Sequence, residues 1–182
     1  MQSITIQKIS ITDLETDAIV NAANSGLWPG GGVCGAIFKA AGYLKLLKAC
    51  RAIGHCDTGC AVITPGFALK AQYIVHAVGP VWNGGENGEA EQLFQAYDHS
   101  LELALANQCR SIGFPLISAG IYGYPLREAW VTALDACAAF LDRHPEETMK
   151  IVFAVLSDNV LQVGREVLLE SSASRYAATD QF

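Results

Sequence analysis

Over the first eight positions apolar and polar residues alternate, with Ile4 and Ile6 set between Ser3, Thr5 and Gln7. A period of two predicts a half-buried strand over residues 3–8. From Ala18 the pattern changes: Ala18, Ile19 and Val20 run without polar interruption, as in a strand buried on both faces. "GCAVITPG" and "QYIVHAVGP" read as two further strands, each closed by a Gly/Pro signal, and "SIGFPLIS" and "KIVFAVLS" as two more. Between them the apolar spacing becomes helical. Residues 33–41 form a small-residue helix that Gly42 can end, and 44–53 continue helically. Residues 89–107 place Leu93, Phe94, Tyr97, Leu101 and Leu105 at helical intervals. Pro125 opens a helix to about residue 143 from its first turn, and 160–169 form the last helix.

Strands that alternate with helices over short connections predict an α/β fold. The expected architecture is a three-layer α/β/α sandwich with a mixed, largely parallel central sheet. The expected organisation is one domain over residues 1–170, with 171–182, "SSASRYAATDQF", as a flexible tail. Ligands of such sheets bind at the carboxyl ends of the strands. Two glycine-rich loops, "PGGGVCG" and "SAGIYGYP", each follow a strand and precede a helix, so both should lie near that edge.

Composition narrows the ligand. Of 182 residues, 51% are apolar and 16% charged, enough for a real core and too apolar for a disordered chain. The net charge of -6 gives no general field for gathering nucleic acid or anionic lipid. An anionic ligand must therefore be held locally. The first residues lack a basic leader with a long apolar run, and no run is long enough to cross a membrane, so the expected location is cytoplasmic. There the six cysteines are free thiols. Cys50, His55, Cys56 and Cys60 lie close in sequence but lack paired C-x-x-C knuckles, and no metal or cofactor is expected.

Glycine loops at helix starts suit phosphate, because free N–H groups and the helix dipole both favour an anion. Gly30, Gly32 and Gly35 satisfy G-x-G-x-x-G, the dinucleotide fingerprint. Ser25 to Pro29, however, separate them from the strand, and no acidic residue stands at the end of the next strand. There is no G-x-x-x-x-G-K-[ST] loop either. Two loops at one edge point instead to a diphosphate gripped from both sides.

"DAIVNAAN", then "GGGV-x-GAI-x-KAAG", "TGCAVITPG", "YIVHAVGPVW" and "FPLISAGIYGYP" occur in that order. Together they resemble the macrodomain family, in its MacroD-like branch, over about residues 4–155. The resemblance implies ADP-ribose binding and, for many members, hydrolysis of ADP-ribose esters of acidic side chains or of O-acetyl-ADP-ribose. Carried over, Asn24 would orient the distal ribose. Gly31, Gly32 and Val33 would meet the diphosphate and ribose. Ser118, Ala119, Gly120, Ile121 and Tyr122 would form the second phosphate loop. Asn21 reads as structural and His76 as a satisfied core histidine. Trp28 either closes over the ligand or packs as a hinge against the core.

The departures from the family pattern are as specific. Where the family carries Asp and then His, this chain has Cys34 and Phe38. A thiol is mostly neutral at pH 7 and a poor acceptor beside a carboxylate. Asn24 and Cys34 are thus the candidate catalytic positions, with Cys34 unsuited to act as a general base. Water would be activated largely by the substrate's own phosphate. The alternatives are a reader that binds ADP-ribose without cleaving it, a nucleophilic Cys34, and a binder of nucleic-acid ends, which the acidic charge disfavours. At the adenine end the family's Gly-Asp-Ile-Thr is Ile9-Ser10-Ile11-Thr12, leaving Ser10 and Ile11 to meet the base, and its usual aromatic is Leu156. The expected partner is ADP-ribose or an ADP-ribosylated substrate, with no membrane, nucleic acid disfavoured, and the protein a monomer.

Overall fold

The computed structural model describes residues 1–179. Six strands, β1 (Gln2–Lys8), β2 (Ala18–Ala22), β3 (Ala61–Pro65), β4 (Tyr73–Ala77), β5 (Ser111–Phe114) and β6 (Met149–Val155), form one sheet in the order β1-β6-β5-β2-β4-β3. All neighbours are parallel except β3 and β4. Five helices complete the chain: α1 (Gly32–Ala41), α2 (Tyr43–Ile53), α3 (Glu89–Ala106), α4 (Leu126–Arg143) and α5 (Asp158–Glu170).

Period-two alternation sorts the strand residues between two cores. In β4, Val75 and Ala77 enter the larger core with Tyr97 of α3 and Trp130 of α4. Ile74 points to the other face and packs with Ile37 and Phe38 of α1 and Leu46 of α2. The sheet is therefore covered on both sides, as the three-layer reading requires. None of the helices among the described residues is long and apolar enough to cross a membrane.

Topology places the site. From β2 the chain crosses through α1 and α2 on one face toward β3 and β4, while from β5 it crosses through α4 on the other face to β6. The connections after β2 and β5, neighbours in the sheet, thus diverge to opposite faces. Such a switch point opens a crevice at the carboxyl ends of the strands.

Several boundaries differ from expectation. β5 stops at Phe114, not Ser118, because Pro115 has no N–H for the ladder and Ser118 takes a positive φ of 65°. Pro125 is the extended residue just before α4, at φ -56° and ψ 134°, rather than its first helical residue. The segment after Glu170 is not loose over its described part. A 3₁₀ turn, Ser172–Tyr176, buries Ala173 completely, and Asp142 accepts from both Arg175 and Tyr176. Ala177 then bridges Ile4 on edge strand β1, which limits the exposed edge. Residues 180–182 of the expected tail lie outside the described residues.

Trp130 is the largest fully buried side chain. Its Nε1–H donates to the Val160 carbonyl oxygen at 3.0 Å, and its ring lies edge-on to Phe153 at 5.1 Å. Trp130→Phe removes that bond and leaves a void, so urea unfolding should show a loss of about 2–3 kcal/mol.

Candidate functional site

The crevice is a cavity of about 630 Å³ walled by the ends of β2 and β6 and by the loops that follow β2, β4, β5 and β6. Asn24, Gly31, Gly32, Val33 and Cys34 line one side. Ser118, Ala119, Gly120, Ile121 and Tyr122 line the other, and Leu156 stands at the β6 end. No acidic or basic side chain among the described residues lines it. Any anion held here must be held by main-chain N–H groups and neutral side chains.

The first loop is built to expose such groups. Gly31 caps α1 with no side chain on the free N–H groups, and Gly32 takes φ +57°. The first-turn N–H groups of a helix have no acceptor within it and sit at the positive end of its dipole. Gly35 N–H reaches back to the Gly31 carbonyl oxygen at 3.3 Å. A Cβ on Gly35 would lie 2.7 Å from the Gly30 carbonyl oxygen, so only glycine lets the loop lie this close to the helix.

Ahead of the glycines, Asn24 is held by one residue. Its Oδ1 accepts from the Trp28 N–H and its Nδ2 donates to the Trp28 carbonyl oxygen, each at 2.9 Å. An asparagine amide has two N–H donors and two acceptor lone pairs. One of each remains, on an amide whose plane is already fixed. The Trp28 ring does not pack as a hinge against the core: it is 68% exposed and lies over Gly26, where a Cβ would come within 2.4 Å of it.

The second loop is anchored at three points. Ser118 Oγ–H donates to the Pro80 carbonyl oxygen at 2.7 Å, Tyr124 N–H to Ser118 at 2.9 Å, and Trp82 N–H to Tyr122 at 2.8 Å. Gly123 N–H closes a turn on Gly120 at 3.0 Å. The N–H groups of Gly120, Ile121 and Tyr122 have no partner among the described residues. Gly79 permits this packing, since a Cβ there would lie 2.3 Å from Ser118 Oγ.

At the β6 end the wall is apolar. Leu156 is 70% exposed, and Ser157 spends its Oγ on the N–H of Val160, capping α5. Ser10 and Ile11, expected to meet the base, are not brought to the cavity wall. A 3₁₀ turn, Ile11–Asp13, buries Ile11 in the α1–α2 core, and the Ser10 hydroxyl is shared with Thr12 at 2.9 Å.

Behind the first loop lies a buried polar chain that sequence reasoning reached only in part. His76 is 1% exposed; Asn21 Nδ2 donates to its Nδ1 at 3.1 Å, which leaves the ring proton on Nε2 for Thr64 Oγ1 at 2.9 Å. Asn21 Nδ2 also donates to Cys34 Sγ at 3.6 Å, tying α1 to the strands. No sequence signal singled out Thr64, or the Trp28 carbonyl. Burial lowers the His76 pKa from its ordinary 6.5 to about 4. Between these values the unfolded chain binds a proton that the folded protein refuses, so stability falls as the pH drops through that window. The contribution is about 3 kcal/mol, complete above pH 6.5 and lost below pH 4. Urea unfolding of His76→Gln should depend less steeply on pH than wild type between those limits.

The Macro domain family model matches residues 20–133. A macro domain-containing protein of Chlorobaculum tepidum is 51% identical over 88% of this chain and 92% of its own. An O-acetyl-ADP-ribose deacetylase of Salmonella typhimurium is 51% identical over 79% of this chain and 83% of its own. Among solved structures, an Oceanobacillus iheyensis macrodomain with ADP superposes with a TM-score of 0.86 at 38% identity, covering 91% of this chain and 89% of that one. A Trypanosoma brucei macrodomain in complex with ADP gives 0.84 at 40% identity, covering 91% and 69%. With two bare glycine loops facing each other across the switch point of a mixed six-stranded sheet, and with these relatives, the chain belongs to the Macro domain family.

Proposed function

We propose that the protein binds ADP-ribose in this cavity and hydrolyses an ester on its distal ribose, as in O-acetyl-ADP-ribose or a mono-ADP-ribosylated acidic residue. One observation carries the reading: a cavity with no charged side chain among the described residues, flanked by two sets of free main-chain N–H groups. That arrangement suits a diphosphate held by dipoles and leaves the apolar β6 end for a base. The Salmonella relative's name and the ADP bound to the O. iheyensis and T. brucei macrodomains support it.

The α1 first turn and the Gly120–Tyr122 amides hold the diphosphate from two sides. The remaining N–H and lone pair of Asn24 bond hydroxyls of the distal ribose and fix the ester carbon in the cavity. Water attacks the ester carbonyl, with its proton passing to a phosphate oxygen of the substrate. The tetrahedral intermediate expels the ribose oxygen, which takes that proton. The acid so formed releases its remaining proton to solvent, and acetate, or the free carboxylate side chain, leaves with ADP-ribose. The cavity is complete within one chain, which supports a monomer. Six free thiols support a reducing, cytoplasmic location.

Among the described residues no carboxylate or histidine lines the cavity wall, which favours a second reading, a reader that binds without cleaving. Incubation with O-acetyl-ADP-ribose, followed by acetate release, separates the two. The hydrolase reading expects release above the uncatalysed rate, strongly reduced in Asn24→Ala. Tight ADP-ribose binding with no acetate released would make the protein a reader.

A further inference from the structure

Three hydrogen bonds converge around the Trp28 main chain from one side of the cavity. Its carbonyl oxygen accepts from Asn24 Nδ2 at 2.9 Å and from the Cys34 thiol at 3.7 Å, while its N–H donates to Asn24 Oδ1 at 2.9 Å. The thiol in turn accepts from Asn21 Nδ2 at 3.6 Å. The second hydrogen on that Nδ2 goes to His76, whose Nε2–H goes to Thr64 of the adjacent strand. The donors and acceptors form one unbroken chain, from the paired strands β3 and β4 through Asn21 and Cys34 to Trp28 and Asn24.

From this we infer that Cys34 is a positioning residue for Asn24: its thiol joins the buried Asn21–His76–Thr64 chain to the Trp28 carbonyl that fixes the Asn24 amide. The position needs a group that accepts on one side and donates on the other. A thiol or a hydroxyl does both, whereas a carboxylate only accepts. An ionised aspartate here would accept from Asn21 but would turn an oxygen toward the Trp28 carbonyl oxygen, loosening the residue that holds Asn24. The Cys34 proton is engaged by a main-chain acceptor and the residue is 6% exposed, which suits an orienting role rather than a reacting one. A residue that the family resemblance marks as a lost carboxylate is thus a replacement with its own function. This inference rests on the reading that Asn24 orients the distal ribose.

The test combines steady-state hydrolysis of O-acetyl-ADP-ribose with amide hydrogen exchange at Trp28 without ligand, in wild type, Cys34→Ala, Cys34→Ser and Cys34→Asp. Cys34→Ala should lower kcat by about 3- to 10-fold with KM little moved, the loss expected for one weak hydrogen bond that orients rather than binds. Cys34→Ser should recover most of that loss, and Cys34→Asp should fall below Cys34→Ala. Exchange at the Trp28 N–H should be faster in Ala and Asp than in wild type and Ser. Three results overturn the inference: Ala outperforming Ser, as for a packing residue; Ser and Ala equally inactive, as for a sulfur nucleophile; or Asp raising the rate, as for a missing base. If wild type shows no turnover, the proposed function falls, and the order of exchange rates still decides the role of Cys34.

Discussion

Gly35→Ala should weaken ADP-ribose binding by about 100-fold or more while leaving the protein folded. The added methyl would lie 2.7 Å from the Gly30 carbonyl oxygen, a backbone atom that cannot swing aside as a side chain can. Either α1 or residues 30–32 must move, and both carry the N–H groups of the diphosphate cradle. Hydrogen bonds to a charged group are worth about 1.5–3 kcal/mol each, so losing two of them costs about 3–6 kcal/mol of binding. Alanine is also the better helix former by about 1 kcal/mol, which offsets part of the strain on the fold. Calorimetric titration beside thermal unfolding separates the two effects. Full affinity in the folded variant would mean that the diphosphate does not rest on the first turn of α1.

Asn24→Ala should lower kcat for ester hydrolysis by about 100- to 1,000-fold, the range expected when a preorganised donor is removed from a reacting centre. Two things are lost at once: the N–H and lone pair offered to the ribose, and both bonds that hold Trp28. Asn24→Asp separates them in part. It keeps an acceptor for the Trp28 N–H but sets a carboxylate oxygen against the Trp28 carbonyl and adds negative charge where a diphosphate must bind. It should therefore be at least as damaging as alanine, with the additional loss appearing in KM. A variant that retained wild-type kcat would remove Asn24 from the mechanism.

The outline of this molecule was legible because its patterns are local. A short apolar run at Ala18 closed by Asn and Gly fits a strand covered on both faces, and a glycine cluster between strand and helix suits exposed N–H groups. Direction changes set by single residues were harder to read. Pro115 ends β5 early because it lacks an N–H, and Ile11 turns inward with its 3₁₀ turn, carrying Ser10 away from the cavity. The docking of residues 172–177 depends on Asp142 and Ile4, both distant in sequence, so no local pattern announces it. The same is true of the site's support. Gly79 reads as turn punctuation until Ser118 is seen to fill the space where its Cβ would be. His76 and Asn21 were legible as structural. The chain that joins them to Thr64, Cys34 and the Trp28 carbonyl brings together five segments: β2, the loop after it, α1, β3 and β4.

On the proposed reading, neutral walls and main-chain N–H groups alone hold a diphosphate here. Calorimetric titration of ADP-ribose into the wild-type protein tests it most directly, with the ADP-ribose analogue lacking one phosphate as comparison. Saturable binding in the micromolar range is expected. Removal of one phosphate should weaken it markedly, because each loop loses its share of the anion. No heat at millimolar ADP-ribose, or equal affinity for the two ligands, would contradict it.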